Sequence, residues 1–378
     1  MDRQLKRQQK DIAKHKTYDE MKASKQKSKQ RRAARGKDEA RRKDFDEDNW
    51  EKLLDQQGRA RGRRPIAEDP AGFIAREHSS DVDYTGAAIV ISVTSGRCRV
   101  FHEHHEIDCV VPPEIAVRQK SALTVGDRVH VVDWDLTEIL PRRSVLARPD
   151  PLNKHLQRLI AANIDVVVHV VSVKAPPLRP RLIDRYLIAI ERGGAKPVIC
   201  VNKIDLLDPA DRDAELAKLA TYRDLGVPVI TCSTRTGEGL DELRRQVLGK
   251  TAALVGHSGV GKSSILNALD SRLKLATKEV HKRGTGRHST TASTLYDFGD
   301  GTYLIDTPGI REFGLWDLDR ESLRDYFPEF AEAAELCRFN DCSHVHEPDC
   351  EVKDRVERGE INRARYETYV RLYNDLEQ

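Results

Sequence analysis

The sequence predicts a multidomain α/β protein: a small β-barrel, then a parallel sheet with helices on both faces, then a helical metal-binding segment. Three observations predict this. Five short β-type runs lie between residues 87 and 140. Strand-like and helix-like runs then alternate across 151–315, the pattern of a parallel sheet with crossover helices. A Cys/His segment from Cys337 to Cys350 interrupts the helical pattern of 316–378.

The region before the barrel, 1–80, is set apart by charge. Residues 1–64 hold 22 Lys and Arg against 12 Asp and Glu, a net +10; the whole chain is +3, so the remainder carries −7. With almost no aromatics before Phe45 and Trp50, such a segment buries too little apolar surface to offset ordering entropy. A basic, largely disordered arm is expected, and its Lys22–Lys43 cluster suits contact with nucleic acid. No apolar stretch follows Met1, and the longest apolar run, near Asp165–Val173, is far too short to span a bilayer. A soluble, cytoplasmic protein follows, and nothing in the sequence argues against a monomer.

In the barrel region, 81–150, the runs are 87–93, 97–101, 108–111, 127–132 and 137–140, with turn signals at Ser95-Gly96 and Gly126-Asp127. Five short strands in this span suggest an OB-fold, a barrel that often binds RNA. His102, His104 and His105 read as a solvated hairpin tip rather than a metal site. In the α/β region, strands are expected at 165–171, 197–201, 228–232 and 251–255 and near Leu295 and Leu304. Helices are expected at 181–192, 214–222 and 240–247 and from Lys262. Cys98, Cys109, Cys200 and Cys232 read as buried strand residues.

The chemistry begins at Gly256-His257-Ser258-Gly259-Val260-Gly261-Lys262-Ser263, followed by Ser264. It fits the phosphate-binding loop G-x-x-x-x-G-K-[ST] and lies where that motif must, between a strand and a helix. The glycines let backbone N–H groups turn toward phosphate oxygens, and the helix N-terminus favours negative charge. Lys262 is expected to reach the β- and γ-phosphates, and the Ser263 hydroxyl to ligate Mg²⁺.

Asn202-Lys203-Ile204-Asp205 closes an earlier strand. The Asp205 carboxylate can accept from guanine N1–H and the 2-amino group; adenine has neither, so a site built this way selects GTP over ATP. Asn202 would brace the loop and the Lys203 stem cover the base, while the backbone at Cys232-Ser233-Thr234 would offer N–H groups to guanine O6. Asp306-Thr307-Pro308-Gly309 supplies a third element: Asp306 to hold Mg²⁺, the Gly309 N–H to bond the γ-phosphate. Between them, Gly284–Thr291 reads as a switch loop, in which Thr290 or Thr291 would complete the Mg²⁺ shell. Ras-like proteins orient the attacking water with a Gln after Asp-x-x-Gly; here Ile310 stands in that position, and His288 is the nearest polar substitute. Slow intrinsic turnover, stimulated by a partner, is therefore expected.

The base-reading motif precedes the phosphate loop, the reverse of small GTPases. This is the mark of a circularly permuted G domain. It also runs the chain from Asp306 directly into the C-terminal segment. In that segment Cys337, Cys342, Cys350 and either His344 or His346 offer three thiolates and one imidazole, a closed tetrahedral set suited to structural Zn²⁺.

The order NKID, GHSGVGKSS, GRHSTT, DTPGIREFGL, CRFNDCSHVHEPDC resembles that of the RsgA (YjeQ) family over about residues 81–378. The switch departs slightly, reading His-Ser-Thr-Thr where the family usually has His-Thr-Thr-Thr, and the basic arm is an addition. The resemblance implies an OB-fold domain, a permuted G domain and a C-terminal zinc domain. It also implies a GTPase of late small-subunit assembly that binds the 30S particle and 16S rRNA, with ribosome-stimulated hydrolysis. By the same match the zinc ligands would be Cys337, Cys342, His344 and Cys350. Two other readings stand beside it: a non-catalytic, GTP-liganded RNA-binding checkpoint, and an ATP-dependent enzyme, against which Asp205 argues.

Overall fold

A computed structural model of the chain describes residues 82–94, 96–103, 105–112, 115, 123–149, 157–174, 176–270, 293–307 and 318–376. The basic arm, His104 and the switch loop with His288, Thr290 and Thr291 lie outside the described residues, as do Gly309 and Ile310.

Strands β1 (Ala88–Thr94), β2 (Arg97–His102), β3 (His105–Val110), β4 (Arg128–Val132) and β5 (Asp135–Ile139) close into a barrel in the order β1-β2-β3-β5-β4. Alternation makes it: Cys98, Val100, Cys109, Val129 and Leu136 point inward and are buried, while their neighbours face out. His102 and His105 face each other across the β2–β3 hairpin end, with His105 exposed. A hairpin that the sequence reading missed follows, β6 (Val145–Pro149) and β7 (Gln157–Ala162). Its first run is short and flanked by Arg and Pro, and so reads as a connector.

The second layer is a six-stranded sheet, β10-β9-β8-β11-β13-β12. It comprises β8 (Val166–Ser172), β9 (Lys196–Asn202), β10 (Val229–Thr231), β11 (Thr251–Val255), β12 (Thr294–Gly299) and β13 (Thr302–Asp306). Five strands are parallel; β12 is antiparallel to β13, because Asp300-Gly301, both at positive φ, reverse the chain directly. Helices α1 (Pro180–Arg192), α2 (Pro209–Ala217), α3 (Ala220–Asp224), α4 (Leu240–Val247) and α5 (Lys262–Leu269) connect the strands. One helix was expected over 214–222, whereas α2 starts earlier, where Asp208 caps the Ala210 N–H and Pro209 takes the first turn. The chain then breaks so that Leu219 can be buried.

Helices α4 and α5 cover one face, packing Leu243, Val247, Ile265 and Leu266 on Val168, Val170 and Leu254. On the other face α1 and α3 pack Ile183, Leu187 and Tyr222 on Val171, Ile199 and Val201. A third cluster runs from the barrel (Ile89, Ile91, Val125) through the hairpin (Leu146, Ile160) to the sheet (Val167, Ala253, Ile305). Asn163 pins this junction: its amide donates to Gly126 O at 3.0 Å and accepts from Arg143 N and Tyr84 Oη, both at 2.9 Å. The barrel carries its own buried ion pair, Arg142 on Asp127 at 2.6 Å.

The C-terminal segment is helical: α6 (Arg320–Leu323), α7 (Ala331–Ala334), α8 (Glu351–Glu357) and α9 (Arg363–Asp375). It packs Leu323, Phe327, Phe330, Val352, Tyr369 and Leu372 into one cluster with Ile188 of α1. Arg365 fixes that contact. Its guanidinium reaches Asp184 of α1 at 2.9 Å and the Glu329 carboxylate, and lies over the rings of Phe327 and Tyr222. Tyr222 Oη also donates to Asp184, at 2.8 Å. No described helix is long and apolar enough to cross a membrane.

Removing a buried cation strands its partners. Arg365→Ala is expected to cost about 3–5 kcal/mol, read as a lower denaturant midpoint, because Asp184 and Glu329 lose their common counterion. A loss under about 1 kcal/mol would show that the network is solvated and contributes little.

Candidate nucleotide site and metal centre

The loops that carry the sequence motifs leave the carboxyl ends of β9, β11 and β13, the edge at which parallel sheets bind ligands. At the end of β11 the chain turns sharply at Gly256, whose φ is 137°. A Cβ there would stand 2.2 Å from the Val170 carbonyl oxygen of the neighbouring strand, so the turn admits only glycine. Gly261, at φ 98°, is constrained from another direction: a Cβ would meet the Asn202 side-chain amide at 2.3 Å.

That amide joins the two motifs. Asn202 Nδ2 donates to Val260 O at 2.9 Å, and Lys203 Nζ donates to Gly259 O at 2.5 Å. Asn202 Oδ1 accepts from the Lys203 N–H at 2.8 Å, holding Lys203 in the left-handed region at φ 65°. Sequence reasoning assigned Asn202 a bracing role within its own loop; the structure shows the brace reaching across to the phosphate loop. Asp205, partly buried, accepts from Ser233 Oγ at 2.6 Å and lies 4.0 Å from the Arg235 guanidinium. Ser233 Oγ accepts in turn from the Arg235 and Thr236 N–H groups, each at 3.2 Å. The Ser233 hydroxyl thus orients the carboxylate, a role the sequence reading missed because it depends on the register of β10 against β9. Thr234 is half-buried beside it.

Lys262 is buried at the start of α5 and folds back on the loop, donating to Gly256 O at 2.6 Å and His257 O at 3.1 Å. Burial pulls its ammonium down to about 8, partly offset by the Asp306 carboxylate. Burial likewise raises the Asp306 carboxyl, and Lys262 pulls it back. These opposite groups therefore share one poorly solvated pocket. Ser263 and Ser264 are half-buried on the first turn of α5, and Ser258 and Gly259 are exposed at the loop tip. Thr307, next to Asp306, ties the end of β13 to the phosphate-loop strand through its hydroxyl on Leu254 O at 2.6 Å. His169, in the central strand, was not singled out from sequence. It stacks on Tyr186 at 3.9 Å, and burial together with Lys262 holds its imidazole down at about 3. It stays neutral and adds no charge beneath the loop.

The second cluster lies in the C-terminal segment. One donor atom from each of Cys337, Cys342, His344 and Cys350 falls within 4.8 Å of the others. His344 Nδ1 is 3.6 Å from Cys337 Sγ and 3.5 Å from Cys350 Sγ, and the two sulfurs are 3.9 Å apart. Tetrahedral zinc with Zn–S bonds of about 2.3 Å sets its sulfurs about 3.8 Å apart, so the donor set fits that ion. His344 holds φ at 62°, a strained value for a non-glycine residue, and so turns its ring inward. His346, the alternative ligand, is exposed with its ring edge toward Tyr373 and lies outside the group.

A family model described as RsgA GTPase matches residues 139–316. A relative from Gemmatimonas aurantiaca, the small ribosomal subunit biogenesis GTPase RsgA, is 41% identical over 262 residues, 67% of this chain and 84% of its own. The protein of the same name from Chlorobaculum parvum is 38% identical over 312 residues, 78% of this chain and 96% of its own. Among solved structures, YjeQ from Thermotoga maritima superimposes with a TM-score of 0.63 at 35% identity, covering 77% of this chain and 98% of that one. YloQ, a circularly permuted GTPase, gives 0.61 at 29% identity, covering 80% and 98%. With the permuted order of motifs, the barrel ahead of the sheet and the Cys/His cluster behind it, these likenesses show that the chain is a GTPase and belongs to the RsgA family.

Proposed function

We propose that this chain binds GTP with Mg²⁺ at the carboxyl edge of the sheet, hydrolyses it to GDP and phosphate, and acts in maturation of the small ribosomal subunit. The observation that carries the nucleotide reading is the pair of hydrogen bonds from Asn202 and Lys203 to Val260 O and Gly259 O. They hold a guanine-reading loop and a phosphate loop at one fixed separation. In this reading Asp205, oriented by Ser233, accepts from guanine, and the backbone at Ser233 and Thr234 donates to O6. Residues Gly256 to Ser264 cradle the phosphates. Lys262 leaves the carbonyls of Gly256 and His257 to neutralise the β- and γ-phosphates. Ser263 and Asp306 would hold Mg²⁺, with Thr290 or Thr291 completing its shell; the ion supplies charge neutralisation at the phosphates. The Gly309 N–H would bond the γ-phosphate and His288 would orient the attacking water.

The small subunit enters through the names of the relatives, of which this chain spans 84% in the Gemmatimonas protein and 96% in the Chlorobaculum protein. We propose that it binds the 30S particle and 16S rRNA as a cytoplasmic monomer, and that the particle stimulates turnover. We also propose that Cys337, Cys342, His344 and Cys350 hold one structural zinc. Four protein ligands leave no open position for catalysis. The deciding experiment is phosphate release from GTP, and from ATP, with and without purified small subunits. Equal use of ATP and GTP, or no acceleration by the particles, would sink the corresponding half of the proposal.

Asp205→Ala is expected to erase most of the preference for GTP over ATP, by at least about 100-fold, in a competition binding assay; an unchanged preference would remove Asp205 from the base site. The pH dependence follows from Lys262. Its ammonium, ordinarily near 10.5, falls to about 8 in the free protein, and bound phosphate raises it again. GTP affinity should therefore hold below pH 8 and fall above it, by up to about tenfold per pH unit, because binding then requires proton uptake. Lys262→Met should flatten this slope. For the metal, elemental analysis should find one zinc per chain, absent from Cys342→Ser. Chelation should loosen the C-terminal segment, since α6 and α7 have only four residues each and helices so short do not persist alone. An unshifted melting curve after complete zinc removal would contradict this.

A further inference from the structure

The barrel carries a surface that the nucleotide site does not use. Arg97 of β2 pairs with Val110 of β3, Val110 with Asp135 of β5, and Asp135 with Val132 of β4. Residues paired in this way project from the same face of a sheet, and all four are exposed. The row ends at the β4–β5 turn, Asp133-Trp134, where the indole is 65% exposed. Val110 and Val132 extend its apolar surface, at 45% and 58% exposed. At the other end of β2, Phe101 lies against Tyr303 of the sheet, so the barrel meets the sheet away from this row.

The turn is not one that a tryptophan would choose. Asp133 and Trp134 both have positive φ, 49° and 71°, in a two-residue hairpin turn that favours Asn-Gly. The Trp134 carbonyl is fixed by the Val110 N–H at 3.1 Å, so the strained residue is held in place rather than frayed. An exposed, strained aromatic at a rigid turn points to a contact made by its ring.

Charge selects the partner. Among the described residues, the same outer face carries Glu106, Asp108, Asp133, Asp135 and Glu138 against Arg97, Arg99 and His130. Arg99 is engaged by Asp108 at 2.8 Å and Glu106 at 3.6 Å, and His130 by Glu138 at 3.3 Å. Asp133 and Asp135 bracket the indole. Such a face repels a phosphate backbone and attracts ammonium and guanidinium groups, and the indole is the strongest π-face for a guanidinium. We propose that the face around Trp134 docks a Lys/Arg-rich polypeptide segment of a partner protein, with one guanidinium stacked on the indole and Asp133 and Asp135 taking flanking cations. This inference is independent of the nucleotide reading.

The test uses the full chain, a fluorescent arginine-rich dodecapeptide and a polyuridine 12-mer as probes, and anisotropy as the readout. Trp134→Gly suits the left-handed turn and should melt at the same temperature or higher, while weakening peptide binding by tenfold or more. Asp133→Asn with Asp135→Asn should weaken it similarly, and added salt should weaken it in the parent protein. Polyuridine binding should be the same in the parent and in Trp134→Gly. The proposal is overturned if the peptide binds parent and variants alike or binds none of them. It is equally overturned if the RNA, and not the peptide, depends on Trp134.

Discussion

The structure turns on one side-chain amide. Asn202 ends β9 and Val260 lies in the loop after β11, yet these strands are not neighbours in the sheet, because β8 runs between them. The bond from Asn202 to Val260 O therefore bridges a whole strand, and it fixes how far the Asn202–Asp205 loop stands from the Gly256–Ser263 loop. Space is made for it by the absence of a side chain at Gly261. Lys203 repeats the connection one residue later, on Gly259 O. Once these loops are tied, Asp205 and Lys262 have fixed positions relative to each other. In permuted order the tie spans 58 residues of chain rather than closing at its far end.

What could be read from the sequence divides along a physical line. The phosphate loop and the Asn-Lys-Ile-Asp segment were legible because local geometry demands those residue types: Gly256 tolerates no Cβ, Asn202 Oδ1 accepts from the Lys203 N–H, and Asp205 accepts from Ser233 Oγ. The barrel strands were legible because short apolar runs are set off by turn residues, as at Gly126-Asp127, and because burial alternates along β2. The hairpin β6–β7 was not, because its stability comes from packing Leu146 and Ile160 into a core shared with distant strands. The strand near Leu295 was expected, but its antiparallel direction, set by the Asp300-Gly301 turn, was not read. Ser233 was assigned to its backbone when its hydroxyl does the orienting, a matter of register between β9 and β10. Arg365 had no local signature at all: its partner Asp184 lies 181 residues away. The basic arm and the switch residues His288, Thr290 and Thr291 fall outside the described residues.

Two kinds of attachment hold the C-terminal segment. Inside it, short helices and turns close around the Cys/His group, where Tyr366 and Tyr369 hydroxyls donate to the carbonyls of His344 and Ser343 at 2.9 and 2.7 Å. Toward the sheet, Arg365 and Ile188 anchor it to α1. Burying a guanidinium with two carboxylates is a poor source of net stability compared with apolar packing. It is directional, however, and α9 can meet α1 in few orientations that keep both acids satisfied. Thr307 secures the other end of the connecting stretch, at the strand beside the phosphate loop.

The junction at Asn163 and Gly126 has a metric consequence. The barrel shares its apolar interior with the sheet through Ile89, Leu146 and Val167, and close-packed interiors do not slide. The barrel turn at Asp133-Trp134 and the Asn202–Asp205 loop are thus two marks on one rigid ruler. A body that touches both must present its own contact points at that spacing, and one that is misshapen or unfinished can satisfy only one mark at a time.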